Sequence, residues 1–251
     1  MHNLGQTRSS NQRDHLLHTP DAFVRSPLPG LARGNAIVHI SPAAGAAFTQ
    51  YTAELEPGGS LEPASVQRFV YVLEGEIDLS TEFVLHSLGA GGYAYLPVRS
   101  TYLIAAKTAA RVAVIEKPYQ ALEETPAPEM IVGREAEIAP TALNGDPDLE
   151  VRALLPGEAG FDFAVNTMTY QPGAALSQVE VHVMEHGLLM LEGGGIYRLG
   201  DAWYPVTAGD FIWMGPYCPQ WFGALGKQPA KYLIYKDWNR HPLGSAMAGP
   251  R

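Results

Sequence analysis

The strongest constraint on this chain is that it contains one unit twice. Residues 69–76 (FVYVLEGE) match residues 187–194 (GLLMLEGG), which sets Leu73, Glu74 and Gly75 on Leu191, Glu192 and Gly193. Further along, residues 92–97 (GYAYLP) match 209–216 (GDFIWMGP), each a glycine turn followed by a short apolar run and a proline. Residues 111–116 (RVAVIE) then match 231–236 (KYLIYK). The three matches fall in the same order, so the chain is read as two tandem domains of one architecture.

The matched segments are short, and glycine or proline bounds them. With 26 glycines and 20 prolines spread as turn punctuation and few helix-period patterns, they predict an all-β protein built from two small jelly rolls side by side. Residues 41–118 form the first, and residues 151–251 the second. Residues 119–150, with Pro126, Pro128, Pro140, Pro147 and many acidic side chains, read as a linker with a strand at most near 130–132. Residues 1–40 read as a polar arm that wraps a sheet edge or reaches a neighbouring subunit.

A formal net charge of −9 without a basic stripe argues against a nucleic-acid partner. No run of apolar residues is long enough for a signal sequence or a membrane span. The single cysteine, Cys218, fits a reducing compartment, so a cytoplasmic protein acting on a small molecule is expected. Sheet edges and the arm point to a homo-oligomer.

Chemistry concentrates in residues 178–187, QVEVHVMEHG. If this stretch is extended, Glu180, His182, Met184 and His186 share one face and Val179, Val181 and Val183 the other. A carboxylate and two imidazoles turned into a barrel interior are costly to bury, and a divalent cation offsets that cost by accepting their lone pairs. His39, His86 and His241 lack companions at ligand spacing, and Cys218 reads as a small buried hydrophobe. Setting one copy on the other puts Glu62, Ala64 and Arg68 opposite Glu180, His182 and His186, and Thr101 or Tyr102 opposite Gln220. No imidazole remains, so the first barrel is expected to be structural.

This pattern resembles the cupin superfamily, whose first motif runs from a glycine through His-x-His and Glu to a second glycine and whose second motif supplies another His. Here Gly173 leads to Glu180, His182, His186 and Gly193, and Gln220 stands eleven residues after Gly209. Pro216 lies one position late and the inner glycine of the second motif is missing. Glu-x-His-x-x-x-His followed by Gln is similar to the (S)-ureidoglycine aminohydrolase family of two-cupin proteins. That resemblance implies Mn²⁺ held by Glu180, His182, His186 and Gln220, with Tyr232 and Lys236 as catalytic and substrate-binding residues and Tyr197 as a further substrate contact. It also implies hydrolysis of (S)-ureidoglycine to (S)-ureidoglycolate and ammonia in purine (allantoin) breakdown. Strand alternation agrees independently that Tyr232, Ile234 and Lys236 share a face.

Four hard or borderline ligands leave two octahedral positions open and suit Mn²⁺ or Fe²⁺, with Zn²⁺ and Ni²⁺ also compatible with these ligand types; the resemblance favours Mn²⁺. An Fe²⁺-dependent cupin dioxygenase is the competing enzyme reading, separated by oxygen uptake against ammonia release. A non-enzymatic ligand-binding cupin is the third, and a lysine and tyrosine on one inward face argue against it.

Overall fold

The structure, a computed structural model, describes residues 7–241. Among the described residues the chain is built from short β-strands with three brief 3-10 turns and no α-helix, as the repeat predicts. No helix is long and apolar enough to cross a membrane. Two compact units emerge: Val24–Ile138, and the residues up to Phe23 together with those from Ala139 onward.

In the unit Val24–Ile138 the sheet runs, neighbour by neighbour, through Ile131–Arg134, Gly92–Leu96, Gln67–Glu74, Ala110–Lys117, Thr49–Leu61, Leu103–Ala106, Glu76–Ser80 and Leu85–Gly89. Leu31–Ile40 pairs along Thr49–Leu61. The other unit has a sheet ordered Ser10–Asn11, His15–His18, Phe211–Met214, His186–Glu192, Ala230–Asp237, Phe163–Tyr170, Asp146–Ala153 and Thr141–Leu143. Its second sheet places Gly194–Leu199 between Ala202–Thr207 and Gln220–Ala224. Each unit encloses its own apolar core.

The sequence repeat is a structural repeat down to its irregularities. Gln67–Glu74 and His186–Glu192 each carry a register shift at the Leu-Glu pair, where they meet Ala110–Lys117 and Ala230–Asp237 respectively. Each is followed by a left-handed glycine, Gly75 (φ 78°) and Gly193 (φ 62°). A Cβ there would lie 2.2 Å from the carbonyl oxygen of Ala109 or 2.3 Å from that of Pro229. Only glycine satisfies both the dihedral and the close approach, which explains why Leu-Glu-Gly is the best preserved element of the repeat.

The domain limits read from sequence need correction at two places. The arm of residues 1–40 is divided: His15–His18 pairs with the edge strand Phe211–Met214, whereas Leu31–Ile40 is a strand of the other unit. The linker of residues 119–150 carries strands that belong to sheets: Ile131–Arg134 on Gly92–Leu96, and Asp146–Ala153 on Phe163–Tyr170. Asn144 and Gly145, both at positive φ, turn Thr141–Leu143 back onto Asp146–Ala153. Asn-Gly between extended runs is a strong hairpin signal, but acidic residues and prolines around it hid the strands. The arm is fastened by Arg8, whose guanidinium makes two hydrogen bonds of 2.6 and 2.8 Å to the fully buried Asp210 carboxylate.

Inside the unit Val24–Ile138, Arg68 faces Glu116 across paired strands, the positions that His186 and Lys236 occupy in the other unit. Arg68 Nε and Nη2 lie 2.7 and 2.6 Å from one Glu116 oxygen. Its Nη1 donates to the Glu62 carbonyl (2.7 Å) and to the Tyr102 hydroxyl (3.0 Å). The Tyr51 hydroxyl donates to Glu116 (3.1 Å). A built-in cation and its carboxylate thus fill the point where the second copy places its imidazoles, and an interior ion pair needs this degree of hydrogen bonding to be tolerated.

Removing one member of such a pair leaves the other charge buried. Arg68→Met is therefore expected to cost about 3 kcal/mol, the low end for a buried pair because the Glu116 side chain is 20% exposed. The double variant Arg68→Met/Glu116→Met recovers most of that loss in urea unfolding. Equal stability of the single variant and the unmodified chain would contradict this account.

Candidate metal centre

The predicted ligands come together around one atom, His182 Nε2. It lies 3.3 Å from His186 Nε2, 2.9 Å from the Gln220 side-chain nitrogen and 3.8 Å from a Glu180 carboxylate oxygen. Backbone pairing sets part of this arrangement: Glu180 and Gln220 exchange N–H···O bonds of 2.8 and 2.9 Å. His186 begins the strand His186–Glu192, and Gln220 begins Gln220–Ala224.

The expected continuous strand through residues 178–187 is not formed. Residues 181–185 leave the sheet, and Glu180 holds only an isolated bridge. His182 is fixed instead through its carbonyl, which accepts the Tyr217 N–H at 2.8 Å. The polar groups converge through a looped-out segment rather than through simple alternation. Met184, expected on the ligand face, lies in this irregular segment. Glu185 points elsewhere, accepting from Trp213 Nε1 at 3.0 Å.

Electrostatics favour a cation at this point. Burial holds the His186 imidazole far below the usual histidine range, down to about 3, and the neighbouring His182 and Lys236 push in the same direction. His186 is therefore neutral, with a ring lone pair to offer. Two ring nitrogens 3.3 Å apart can share at most one proton, and His182 Nδ1 is buried without a hydrogen-bond partner among the described residues. The donor set of two imidazoles, a carboxylate and an amide thus fits a divalent metal. Gln220 currently turns its Oε1 toward the Tyr197 hydroxyl (3.4 Å). A half-turn of the amide would present Oε1 to the centre and let Nε2–H donate to the same hydroxyl, which accepts as readily as it donates. Glu180, with one third of its side chain exposed, is the ligand with room to move. The three titratable ligands do not lie mutually within 4.8 Å, whereas the donor atoms of Asp14, His15 and Cys218 do.

That second trio serves a different purpose. His15 uses Nδ1 on Asp14 and Nε2 on the Tyr204 hydroxyl, both at 2.9 Å. Burial, with the Asp14 charge, pushes the Cys218 thiol up to about 11, so it stays protonated. These residues fasten the arm to the loop 215–219, where Asp14 O also accepts the Gly215 N–H at 2.8 Å.

Lys236 sits opposite His186 across the strand pair, with Nζ 4.6 Å from the centre of the Trp238 ring. Burial pushes its ammonium below the usual lysine range while the Glu180 charge opposes the shift. Tyr232 and Tyr197 are fully buried beneath the ligands. Burial raises both phenols well above their ordinary range, so they are neutral hydroxyl groups. Three residues escaped the sequence reading: Trp238 beside Lys236; Phe222, whose ring is packed by Tyr170, Tyr197 and Tyr232; and Tyr170, whose hydroxyl lies 2.8 Å from that of Tyr232. Tyr170 pairs across strands with Ala230, a register that sequence alone does not supply.

Comparison with known proteins agrees with the doubled architecture. A cupin-domain model matches residues 166–235, and an EutQ-like cupin-domain model matches residues 42–119. A rice protein named probable (S)-ureidoglycine aminohydrolase is 44% identical over 95% of this chain and 78% of its own length. The (S)-ureidoglycine aminohydrolase of Escherichia coli is 32% identical over 89% of this chain and 88% of its own length. A crystal structure of a putative glyoxylate-induced protein from Pseudomonas aeruginosa superposes with a TM-score of 0.87 at 31% identity, covering 96% of this chain and 94% of that one. On these likenesses the chain belongs to the (S)-ureidoglycine aminohydrolase family, enzymes built from two cupin domains.

Proposed function

We propose that this enzyme hydrolyses (S)-ureidoglycine to (S)-ureidoglycolate and ammonia, a step of purine breakdown, at a manganese centre held by Glu180, His182, His186 and Gln220. The observation that carries the reading is the meeting of three predicted ligands at His182 Nε2, within 2.9 to 3.8 Å, with Lys236 directly across from His186. When bound, the metal supplies positive charge that neutralises Glu180 and polarises the group it anchors.

The reaction breaks the bond between the central carbon and the amine and forms a carbon–oxygen bond to water. The lone pair of the ureido nitrogen assists the departure of the amine. Lys236, partly desolvated, releases its proton more readily than a lysine in water and delivers it to the leaving nitrogen; it recovers a proton from the water that adds. Tyr232, a neutral donor, hydrogen-bonds a substrate oxygen and with Lys236 defines the face on which water adds. Tyr197 holds the Gln220 amide.

Freshly prepared ureidoglycine should release ammonia only with manganese-loaded protein and without oxygen uptake. Oxygen consumption without ammonia would instead assign a dioxygenase. Lys236→Met is expected to lower turnover about 10²- to 10⁴-fold, the usual worth of a positioned acid or base, while elemental analysis finds manganese unchanged. Normal turnover by that variant removes the lysine from the mechanism. His182→Ala is expected to lose both bound manganese and activity, and retention of stoichiometric metal would exclude His182 as a ligand.

A further inference from the structure

The hydroxyls of Tyr170 and Tyr232 are 2.8 Å apart. Both residues are buried, at 0% and 2% exposure, and among the described residues each hydroxyl is the other's sole hydrogen-bond partner. Two phenols carry two protons, and the bond between them uses one. The second is left buried without an acceptor among the described residues, a cost that a ligand oxygen would relieve. The Tyr170 ring is clamped edge-on against Phe222, centroids 4.9 Å apart, so its hydroxyl has little freedom.

The other copy of the repeat shows that this pair is not a demand of the fold. Strand pairing of Tyr170 with Ala230 and of Leu55 with Ala110 puts Leu55 at the position of Tyr170. The RVAVIE–KYLIYK match puts Val112 at the position of Tyr232, and counting on from Gly75 and Gly193 puts Leu79 at that of Tyr197. These three positions, tyrosine in the barrel that carries the imidazoles, are therefore aliphatic in the barrel that carries Arg68. An aliphatic side chain fills these positions well enough to complete a barrel core, so packing alone does not call for the hydroxyls.

We propose that Tyr170 is a positioning residue for the reaction: it donates its proton to Tyr232, which leaves the Tyr232 proton aimed at an oxygen of a small carboxylate substrate. Tyr232 is the presenting member because it shares a face with Lys236, four residues further along the strand and opposite His186. The inference rests on the proposed function, since it takes ureidoglycine as the substrate that meets Tyr232.

The test is a double-mutant cycle on the manganese-loaded, full-length enzyme, read in ammonia release and in binding of the inert analogue N-carbamoylglycine. Tyr170→Phe should lower kcat/KM about tenfold, mostly through KM, and weaken analogue binding by a similar factor, the scale of one misdirected hydrogen bond. Tyr232→Phe and the double variant Tyr170→Phe/Tyr232→Phe should be indistinguishable, because once the Tyr232 hydroxyl is gone Tyr170 has nothing to orient. That comparison holds even if Tyr170→Phe alone folds poorly, since deleting both hydroxyls strands no buried donor. A double variant tenfold worse than Tyr232→Phe overturns the proposal, as does a folded Tyr170→Phe enzyme with unmodified KM and analogue affinity. An unmodified chain that releases no ammonia from ureidoglycine overturns the function and this inference together; an active one isolates the failure to Tyr170.

Discussion

A barrel interior admits ionisable side chains only where something of opposite character meets them, because water cannot. Both halves of this chain face that constraint at the same strand position. One half answers with a cation of its own, Arg68, locked onto Glu116 and the Tyr102 hydroxyl, with Tyr51 donating to the same carboxylate. The other keeps His186 neutral through burial and gathers lone pairs that an external cation can use. The matching position across the strand pair changes in step, carboxylate in one and lysine in the other. Since the scaffold is shared down to its bulges and left-handed glycines, the chemistry of each half is decided by a few inward residues.

Much of this architecture is legible in the amino-acid sequence. The repeat predicts two β-barrels, because Leu-Glu-Gly marks a turn that only glycine can make, and the spacing of Glu180, His182, His186 and Gln220 singles out four side chains that the fold gathers within 3.8 Å of His182 Nε2. Strand alternation does not bring them together, however: residues 181–185 are out of the sheet, and a segment held by scattered bonds has no period to detect. Leu31–Ile40 was unreadable as a strand because its first half is largely exposed, with continuous burial only from Ala36 onward apart from Val38. Asp146–Ala153 is signalled by its Asn-Gly turn, but the acidic residues and prolines around it give the composition of a linker. Tyr170 was out of reach because its place beside Tyr232 depends on two strand registers together.

The burial of the site is graded, and the gradient matters chemically. Glu180 and His182 keep roughly a third and a quarter of their side chains exposed, while Gln220 and His186 are 3% exposed. On the proposed function, the half-open pair is the way in for the metal and a small substrate. The closed pair, backed by Tyr197 and the Tyr170–Tyr232 hydroxyls, provides a dry floor in which each hydrogen bond counts for more than it would in water. Neutral phenols suit that floor, because they direct a substrate oxygen without adding a buried charge that would itself require compensation.

Ligands that lie outside regular strands must be positioned by individual bonds, and those bonds can be traced to the beginning of the chain. Gln220 follows the loop 215–219, whose Gly215 N–H is held by the carbonyl of Asp14 and whose Tyr217 N–H holds the carbonyl of His182. The Pro219 carbonyl accepts from Gly200. Asp14 and His15 in turn sit on an arm anchored by Arg8 on buried Asp210 and by Tyr204. An arm that merely covered a sheet edge would need only backbone pairing with Phe211–Met214. The extra ion pair and the bond to Gly215 place it instead in the structural support of the loop that delivers a predicted ligand, so the geometry of the proposed centre draws on residues about two hundred positions earlier in the sequence.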